Sequence, residues 1–521
     1  MCQVSGVPAK LQPGTDGRPA PRTSTEGTIT RSTSTSTSTP GPAPELTKVG
    51  FGREPRPVPL IDLATPLLTV DLDALTHNVD TMAAWCREAG VDLAPHGKTT
   101  MAPAIWRLQL DAGAWGLTVA TAFQATVARQ AGVPRVVLAG TTFAPAALAA
   151  LAAPGVDVLM WVDSVETVRL VDDALGRAEA GRPLAVLVEF GSPLGRTGAR
   201  TVREALLVAA AVTAAPNLVL AGVAGYEGAL THDVDAAGIA VVDGYLAELL
   251  EVLDGIGTPA FEPWLASGHD VVLTAGGSVY FDRVVAVLGG RHDPAGLQGP
   301  RTRVVLRSGS YVAHDHDLYR RSTPSAREPA STTRGGAGDV DPDVTVVVGD
   351  GSAGTGVDRE MGGPTDGELT GLDGAAEGFE VEPATGRGAT SSGGPVFVPA
   401  LELWASVVSR PEPGLALLNV GRRDTSDDEG FPVALEAWRP QAADRRLPGV
   451  LDGSHVSALN DQHAFLRLDP TSTLQVGDLV RLGVSHPCTT LDKWSEIATV
   501  RGTAERRGVP PVVEGSIDTW F

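Results

Sequence analysis

The sequence is poor in two reactive residue types, with three cysteines (Cys2, Cys86 and Cys488) and four lysines among its 41 basic residues. Three cysteines cannot form a disulfide framework, so a reducing cytoplasm is the expected environment. No apolar run of about 18 residues is present, which leaves no candidate transmembrane helix. The net charge of −21 argues against nucleic acid or an anionic membrane as partner, because both select a basic surface.

The scarcity of lysine makes each remaining lysine informative. Arginine fills nearly every cationic position, whereas a Schiff base requires an amine that can lose its proton, which arginine cannot provide. Lys98 and Lys493 are the two lysines of the expected folded region. Lys98 follows an apolar run and is the stronger Schiff-base candidate, while Lys493 lies beside Trp494 in a later segment. From position alone, a surface lysine at the start of a loop remains the alternative for Lys98.

Two segments have compositions that cannot build a core. Residues 1–57 are rich in Pro, Ser and Thr and are predicted to be disordered. Residues at about 325–394 are crowded with Gly, Asp, Thr and Ser, and are predicted to form a flexible insertion. The folded regions therefore lie between and after these segments.

Between the biased segments, eight short apolar runs alternate with Ala-rich helical patterns. Buried parallel strands have this continuous apolar character, so the pattern predicts a (β/α)8 barrel over residues 58–310 rather than a doubly wound open sheet. After the insertion, short strand-like runs separated by Gly and Pro turns predict a β-rich domain within residues 311–521. The predicted barrel strands are 91–94, 116–120, 135–139, 156–162, 184–189, 218–223, 271–274 and 304–307.

The loops that follow the strands of such a barrel build its active site. Lys98 follows the first strand, Arg196 the fifth, Tyr226 the sixth and Tyr311 the eighth. The turn at residues 276–278, Gly-Gly-Ser, follows the seventh strand, and backbone N–H groups at such a turn suit a phosphate. Ordinary roles remain open for each: a plain turn, a surface ion pair for the arginine, or a buried structural tyrosine.

The third cysteine belongs to the stretch SHPCTT at residues 485–490. His486 and Cys488 are two residues apart, so on an extended strand both side chains would point to one face. Imidazole and thiolate suit Zn2+, and two protein ligands leave positions open, as a catalytic rather than a structural site requires. Without further information, a chance His-x-Cys on a strand is the alternative.

Five segments carry a resemblance to a known family. They closely resemble the D-serine dehydratase-like amino acid deaminases, which group with D-threonine aldolases and whose barrel is similar to that of alanine racemase. The resemblance covers about residues 60–320 and 396–521, without the tail and the insertion. The segments are PHGKTTMAP (95–103), AWGLTVAT (114–121), AGGSVYFD (275–282), RSGSYVAHDH (307–316) and SHPCTTLDKW (485–494).

The resemblance implies roles for the candidate residues. Lys98 would hold pyridoxal 5'-phosphate (PLP) as a Schiff base and, once freed, remove the α-proton of the substrate. His486 and Cys488 would bind zinc, and a cysteine in place of the aspartate of the aldolase branch favours dehydration. A homodimer is expected. The implied cofactor-binding residues are Lys98, Arg196, Tyr226, Gly276, Gly277, Ser278 and Tyr311.

The expected activity is therefore that of a cytoplasmic, PLP- and zinc-dependent D-serine dehydratase. This carbon–nitrogen lyase would convert a β-hydroxy D-amino acid to a 2-keto acid and ammonia, with zinc stabilising the departing hydroxide. A D-threonine aldolase, which would release glycine and an aldehyde, and a non-catalytic PLP-carrying protein are the alternatives. A racemase is disfavoured because residues 396–521 contain no tyrosine. Roles stay open for His96, His314, His316 and His463.

Overall fold

A computed structural model describes residues 57–178, 181–193, 195–327, 394–440, 446–502 and 511–521. The predicted disordered tail and nearly all of the predicted insertion lie outside the described residues. Two strands precede the barrel, β1 (Val58–Pro59) and β2 (Leu67–Asp71). None of the described helices is long and apolar enough to cross a membrane.

Eight parallel strands form the predicted barrel. The hydrogen-bonded order runs from the first strand through the last back to the second. His96 forms a parallel bridge with Thr118, and the N–H of Trp115 donates to the Leu93 carbonyl at 2.7 Å, which nearly closes the ring. The barrel prediction and all eight predicted strands are thus confirmed. The strands are β3 (Asp92–Leu93), β4 (Leu117–Val119), β5 (Arg135–Leu138), β6 (Asp157–Val162), β7 (Leu184–Phe190), β8 (Leu218–Gly225), β9 (Val271–Ala275) and β10 (Thr302–Leu306).

Alternate residues of these strands serve two cores, because successive side chains in a strand point to opposite faces. Val137, Leu159, Leu187 and Val305 belong to a small cluster that fills the barrel interior. Their neighbours along the strands pack against the surrounding helices. The helices are α1 (Leu72–Ala89), α2 (Pro103–Asp111), α3 (Ala122–Gln130), α4 (Pro145–Ala152), α5 (Val165–Arg177), α6 (Val202–Ala214), α7 (Ala236–Ile256), α8 (Glu262–Ala266), α9 (Phe281–Leu288) and α10 (Leu318–Ser322).

The C-terminal domain is β-rich, as predicted. A nine-stranded sheet combines β2 with eight strands of this domain and is organised around the first of those eight, which pairs with three neighbours. The strand Val512–Val513 pairs instead with β1 in a separate two-stranded sheet. One short helix, α11 (Cys488–Leu491), leaves this sheet. The strands are β11 (Leu401–Glu412), β12 (Leu415–Leu418), β13 (Val433–Trp438), β14 (His455–Leu459), β15 (Ala464–Arg467), β16 (Leu479–Gly483), β17 (Glu496–Val500), β18 (Val512–Val513) and β19 (Gly515–Asp518).

Strand β2 belongs to this second sheet, although the boundaries drawn from the sequence assign its residues to the barrel segment. It pairs antiparallel with β11 and parallel with β17. Its last residue, Asp71, is also the N-cap of α1, whose carboxylate accepts hydrogen bonds from the backbone N–H groups of Asp73 and Ala74. Asp71 therefore links the sheet directly to the first helix of the barrel.

Candidate active site

Lys98 lies at the carboxyl end of β3, within the single helical turn Gly97–Thr99. Only glycine fits before it, since a Cβ at Gly97 would approach a Leu117 methyl carbon to 2.7 Å. Burial lowers the pKa of the Lys98 amine; the charge of Cys488 acts in the opposite direction, and that of Arg196 lowers the pKa further. An amine with a lowered pKa is more often neutral, and the neutral amine is the form that attacks a carbonyl group to make a Schiff base.

Arg196 and Tyr226 lie together in the loops after β7 and β8. The Arg196 guanidinium carbon is 4.9 Å from the centre of the Tyr226 ring, within the range of a cation–π contact. Burial raises the pKa of the half-buried Tyr226 phenol. The charge of Arg196 also acts on Lys98. The structure therefore brings these three predicted residues together at the carboxyl end of the barrel strands, the barrel mouth.

The glycine turn after β9 already holds an anion that belongs to the chain. The N–H groups of Gly276 and Gly277 donate to the two Glu227 carboxylate oxygens at 3.0 and 2.5 Å. Glu227 is fully buried. The turn is therefore an anion-binding nest, as its sequence suggested, but these two amides are engaged by Glu227. Ser278, the third predicted residue, is half-buried, and its hydroxyl accepts from the N–H of Ser310 at 3.1 Å.

Tyr311 does not join this group. The turn Ser310–Val312 directs Tyr311 into the core, where its hydroxyl accepts a hydrogen bond from the Gln109 side chain at 2.9 Å and its ring packs on Phe397. The preceding residue, Ser310, faces the mouth instead. Position after the eighth strand does not distinguish Tyr311 from Ser310, because adjacent residues of a tight turn point in different directions.

The predicted extended geometry of SHPC is wrong. Strand β16 ends at Gly483, and Pro487 has φ −61° and ψ −41°, so helix α11 begins at Cys488. The fixed φ of proline suits the first turn of a helix. The two side chains nevertheless converge, because the His486 ring hydrogen-bonds to the Cys488 thiol.

His486 and Cys488 shift each other's pKa in opposite directions, each favouring the charged form of the other. Burial opposes both charges, but the hydrogen bond and the thiolate charge outweigh it and raise the pKa of His486 to about 9. In turn His486 lowers the pKa of Cys488 against the opposing effect of burial. A divalent cation could replace the shared proton, since metal ligands bind in their deprotonated forms.

Each member of the pair has its own hydrogen-bond partners. The Cys488 sulfur lies 3.3 Å from the Thr99 hydroxyl and 3.4 Å from the Ser310 hydroxyl, both in the barrel of the same chain. His486 Nδ1 lies 2.9 Å from Asp428 Oδ2, which leaves Nε2 for an ion. In the parts of the chain that the structure describes, no group of three or more His, Cys, Asp and Glu side chains could hold a metal. The pair would therefore supply two ligands of an open site.

Tyr319 is a site residue that the sequence analysis missed. It lies in α10, beyond the eighth barrel strand, near Ser310 and Cys488, both of which affect the pKa of its phenol. Its ring is edge-on to that of His486, with centres 6.5 Å apart. Burial raises the pKa of the Tyr319 phenol well above its usual range. Tyrosine has common structural roles, so the position of Tyr319 after the eighth strand does not by itself mark it as a site residue.

Arg307 was also missed, although it stands in a quoted motif. Its buried guanidinium donates to the Thr274 hydroxyl and to the Gly225 carbonyl, and stacks over Trp161 at 4.8 Å. Its charge also acts on Glu227. A buried arginine beneath the glycine turn therefore compensates the carboxylate that the turn holds.

The four histidines with open roles differ in location. Burial, followed by the charge of Lys98, holds the pKa of His96 well below its usual value, so His96 is neutral beneath the mouth. Burial lowers the pKa of His314 to about 4 and that of His316 to about 3. His463 is exposed between β14 and β15. Only His96 thus lies next to Lys98.

The chain matches two family models in succession. The alanine racemase N-terminal domain matches residues 70–266, and the putative serine dehydratase domain matches residues 400–500. The 3-hydroxy-D-aspartate aldolase of Paracoccus denitrificans (strain Pd 1222) is 29% identical over 42% of this chain and 57% of its own length. The D-threonine aldolase of an Arthrobacter species is 29% identical over 43% and 63%. The D-threo-3-hydroxyaspartate dehydratase of Delftia sp. (strain HT23) is 33% identical over 29% and 40%.

These alignments span between 40% and 63% of the length of the curated relatives named here. Solved structures extend the likeness in fold to nearly the whole chain. The D-threonine aldolase of Filomicrobium marinum has a TM-score of 0.62 at 23% identity over 89% of this chain and 97% of its own. The Delftia dehydratase has a TM-score of 0.56 at 19% identity over 89% and 99%. The chain therefore joins a region that matches the alanine racemase N-terminal domain to a region that matches the putative serine dehydratase domain, on a fold similar to that of the solved D-threonine aldolase.

Proposed function

We propose that the protein is a PLP- and zinc-dependent D-amino acid dehydratase that converts D-serine, or a related β-hydroxy D-amino acid, to a 2-keto acid and ammonia. The proposal rests on the proximity of Lys98 to Cys488. The hydroxyl of Thr99, the residue after Lys98, is 3.3 Å from the Cys488 sulfur. A Schiff-base lysine and a metal-type thiolate would thus act on neighbouring atoms of one small substrate.

The residues around Lys98 fit PLP. Lys98 would hold the cofactor, with Arg196 and Tyr226 beside it, and the glycine turn has the N–H donors of an anion site. Because Glu227 engages two of those donors, Ser278 is the member of the turn that remains for the phosphate. When bound, PLP supplies an electron sink for the negative charge that develops on the α-carbon. The lowered pKa of Lys98 suits it to take the α-proton once substrate has freed its amine.

The residues around Cys488 fit a soft or borderline divalent cation. When bound, zinc supplies Lewis-acid stabilisation to a departing β-hydroxyl. The Asp428 carboxylate holds the His486 ring in place, as carboxylates do for metal-binding histidines. One solved D-threo-3-hydroxyaspartate dehydratase is a cysteine-to-alanine variant in the metal-free form, which supports assigning a metal to Cys488.

The proposal also includes a cytoplasmic homodimer, on the strength of the sequence resemblance and the small number of cysteines. Retro-aldol cleavage is the second candidate activity. It is favoured by the relatives themselves, since two of the three curated relatives named above are aldolases. The cysteine at position 488 favours dehydration, because the aldolase branch resembles this chain except for an aspartate there.

The test is a product assay on purified, PLP-loaded and zinc-loaded protein. We expect keto acid from D-serine or D-3-hydroxyaspartate, and little glycine from D-threonine. C488A should keep the PLP absorbance but lose stoichiometric zinc and at least about a hundredfold in keto-acid formation. C86A is the matched control, because Cys86 is buried in α1 and burial raises the pKa of its thiol to about 12.

Three results would contradict the proposal. Full turnover by C488A would remove the thiolate from the reaction. Glycine and acetaldehyde as the dominant products from D-threonine would replace the dehydratase with the aldolase. Absence of the PLP absorbance in the protein as purified and after addition of PLP would reject both activities.

A further inference from the structure

The two metal-type residues are held from different domains. Both hydroxyl groups that contact the Cys488 sulfur come from the barrel, Thr99 after β3 and Ser310 after β10. The partners of His486 come from the C-terminal domain, where the Asp428 carboxylate accepts at Nδ1 and also from the Thr489 hydroxyl. The position of His486 is therefore set by its own domain, whereas the position of the sulfur depends on the barrel.

Tyr319 lies beside both members of the pair. Its ring is edge-on to that of His486, with centres 6.5 Å apart, and Ser310, which contacts the Cys488 sulfur, is among the groups that affect the pKa of its phenol. The buried Asp315 carboxylate accepts the backbone N–H of Tyr319 at 2.9 Å and that of Asp317 at 2.9 Å. This carboxylate fixes the start of α10, so the phenol is held in position before any ligand arrives.

We propose that Thr99, Ser310 and Tyr319 are positioning residues for Cys488, which hold its sulfur at the barrel mouth so that a soft divalent cation and the occupant of Lys98 affect each other's binding. The inference rests on the proposed function, because it concerns the same pair and the same lysine. It goes beyond that function in assigning part of the cation affinity to three residues that are not themselves metal ligands.

Physical reasons support a role for these hydroxyl groups in cation binding. A thiolate removed from water requires hydrogen-bond donors, and hydroxyl groups at 3.3 and 3.4 Å provide them. Partners in the second layer around a metal change its affinity by about 10- to 100-fold when they are removed. Thr99 is covalently next to Lys98 and contacts the Cys488 sulfur. A change in the position of the sulfur on cation binding would therefore be transmitted through Thr99 to the lysine. Coupling between two binding sites is necessarily reciprocal.

The experiment measures cation affinity rather than turnover. Co2+ and Zn2+ are titrated into PLP-loaded protein against a chromophoric chelator, and the near-ultraviolet thiolate-to-Co2+ band and the PLP absorbance are followed together. We expect T99V and S310A each to weaken cation binding by about tenfold or more, and Y319F to weaken it less. T99S retains the hydroxyl and should restore the affinity.

S308A is the matched control. Ser308 lies in the same loop as Ser310, but its hydroxyl donates to the Gly277 carbonyl at 2.8 Å. We expect its cation affinity to equal that of the unchanged protein. In the unchanged protein, the cation should shift the PLP absorbance, and that shift should shrink in T99V.

The outcomes separate this inference from the proposed function. If C488A loses the cation while T99V and S310A bind it with unchanged affinity, the inference is wrong and the zinc proposal stands. If C488A binds the cation as the unchanged protein does, both are wrong. A PLP absorbance that does not respond to the cation in the unchanged protein would reject the coupling.

Discussion

At the scale of single residues, Glu227 has the most unexpected environment. It is fully buried, and both of its carboxylate oxygens accept N–H groups of the turn predicted to bind phosphate. Arg307 lies close enough for its charge to act on it. A carboxylate with two donors and a compensating arginine is not readily displaced. We therefore interpret Glu227 as the residue that holds the turn in the conformation that presents Ser278.

This interpretation predicts that E227Q binds PLP more weakly. A glutamine would accept one N–H but direct its own NH2 group toward the other, which leaves buried donors facing each other. Loss of a charge-assisted hydrogen bond of this kind costs about 2 kcal/mol, so PLP affinity should fall about tenfold or more. Titration of apo protein with PLP, followed by absorbance, measures it.

The exposed Glu251 on α7 provides the control E251Q, which should bind PLP as the unchanged protein does. Tighter PLP binding by E227Q would show that the carboxylate competes with the phosphate instead of shaping the turn.

The site residues differ in how far sequence could predict them. Lys98 was predictable because lysine is rare and because the residue follows a buried strand. Glu227 and Tyr319 were not, since glutamate and tyrosine have common structural roles and only their three-dimensional partners distinguish them. Tyr311 was assigned to the mouth because position after a strand says nothing about which way a side chain in a helical turn points.

At the scale of elements, the barrel strands were predictable and the sheet was only partly so. β7 and β9 are buried along their whole length, so they read as continuous apolar runs. Short β2 has the same apolar texture, but its neighbours β11 and β17 are more than 300 residues away in sequence. Local patterns predict that such a run is a strand without identifying the sheet to which it belongs. The helical start of SHPC was missed because a periodicity of two was assumed across a proline.

Asp71 joins the two domains by ending β2 and capping α1, which makes it a test of that junction. D71A should lower the free energy of unfolding by about 1 to 2 kcal/mol through loss of the N-cap. Asparagine can also cap, so D71N should lose less. Urea unfolding followed by circular dichroism measures the difference. Equal stability of D71A and the unchanged protein would show that the cap does not contribute to the junction.

At the scale of the whole molecule, buried titratable groups whose pKa values shift in opposite directions lie where the barrel meets the sheet. Burial lowers the pKa of His314 to about 4 and that of His316 to about 3. Burial also raises the pKa of Glu402 to about 7, against the effect of its ion pair with Arg481. The histidines contribute stability that is lost as pH falls, whereas Glu402 contributes stability that is lost as pH rises from its usual value toward 7. Burial likewise raises the pKa of Asp315 to about 6, so two carboxyl groups oppose the two histidines, and the acid sensitivity contributed by one histidine is measured with a variant of that residue.

His314 allows this acid sensitivity to be tested. Between pH 7 and 5 the unfolded chain gains a proton at this residue and the folded chain does not, which costs the folded state about 2 kcal/mol. The variant H314N removes that proton, and asparagine tolerates the positive φ of 45° at this position. Urea unfolding of apo protein at pH 7, 6 and 5 should therefore show a smaller loss of stability in H314N, by about 2 kcal/mol. H232N, at an exposed histidine, should follow the unchanged protein. If H314N loses as much stability as that control, the acid sensitivity of the junction does not arise from this histidine, and the neutral state assigned to it is wrong.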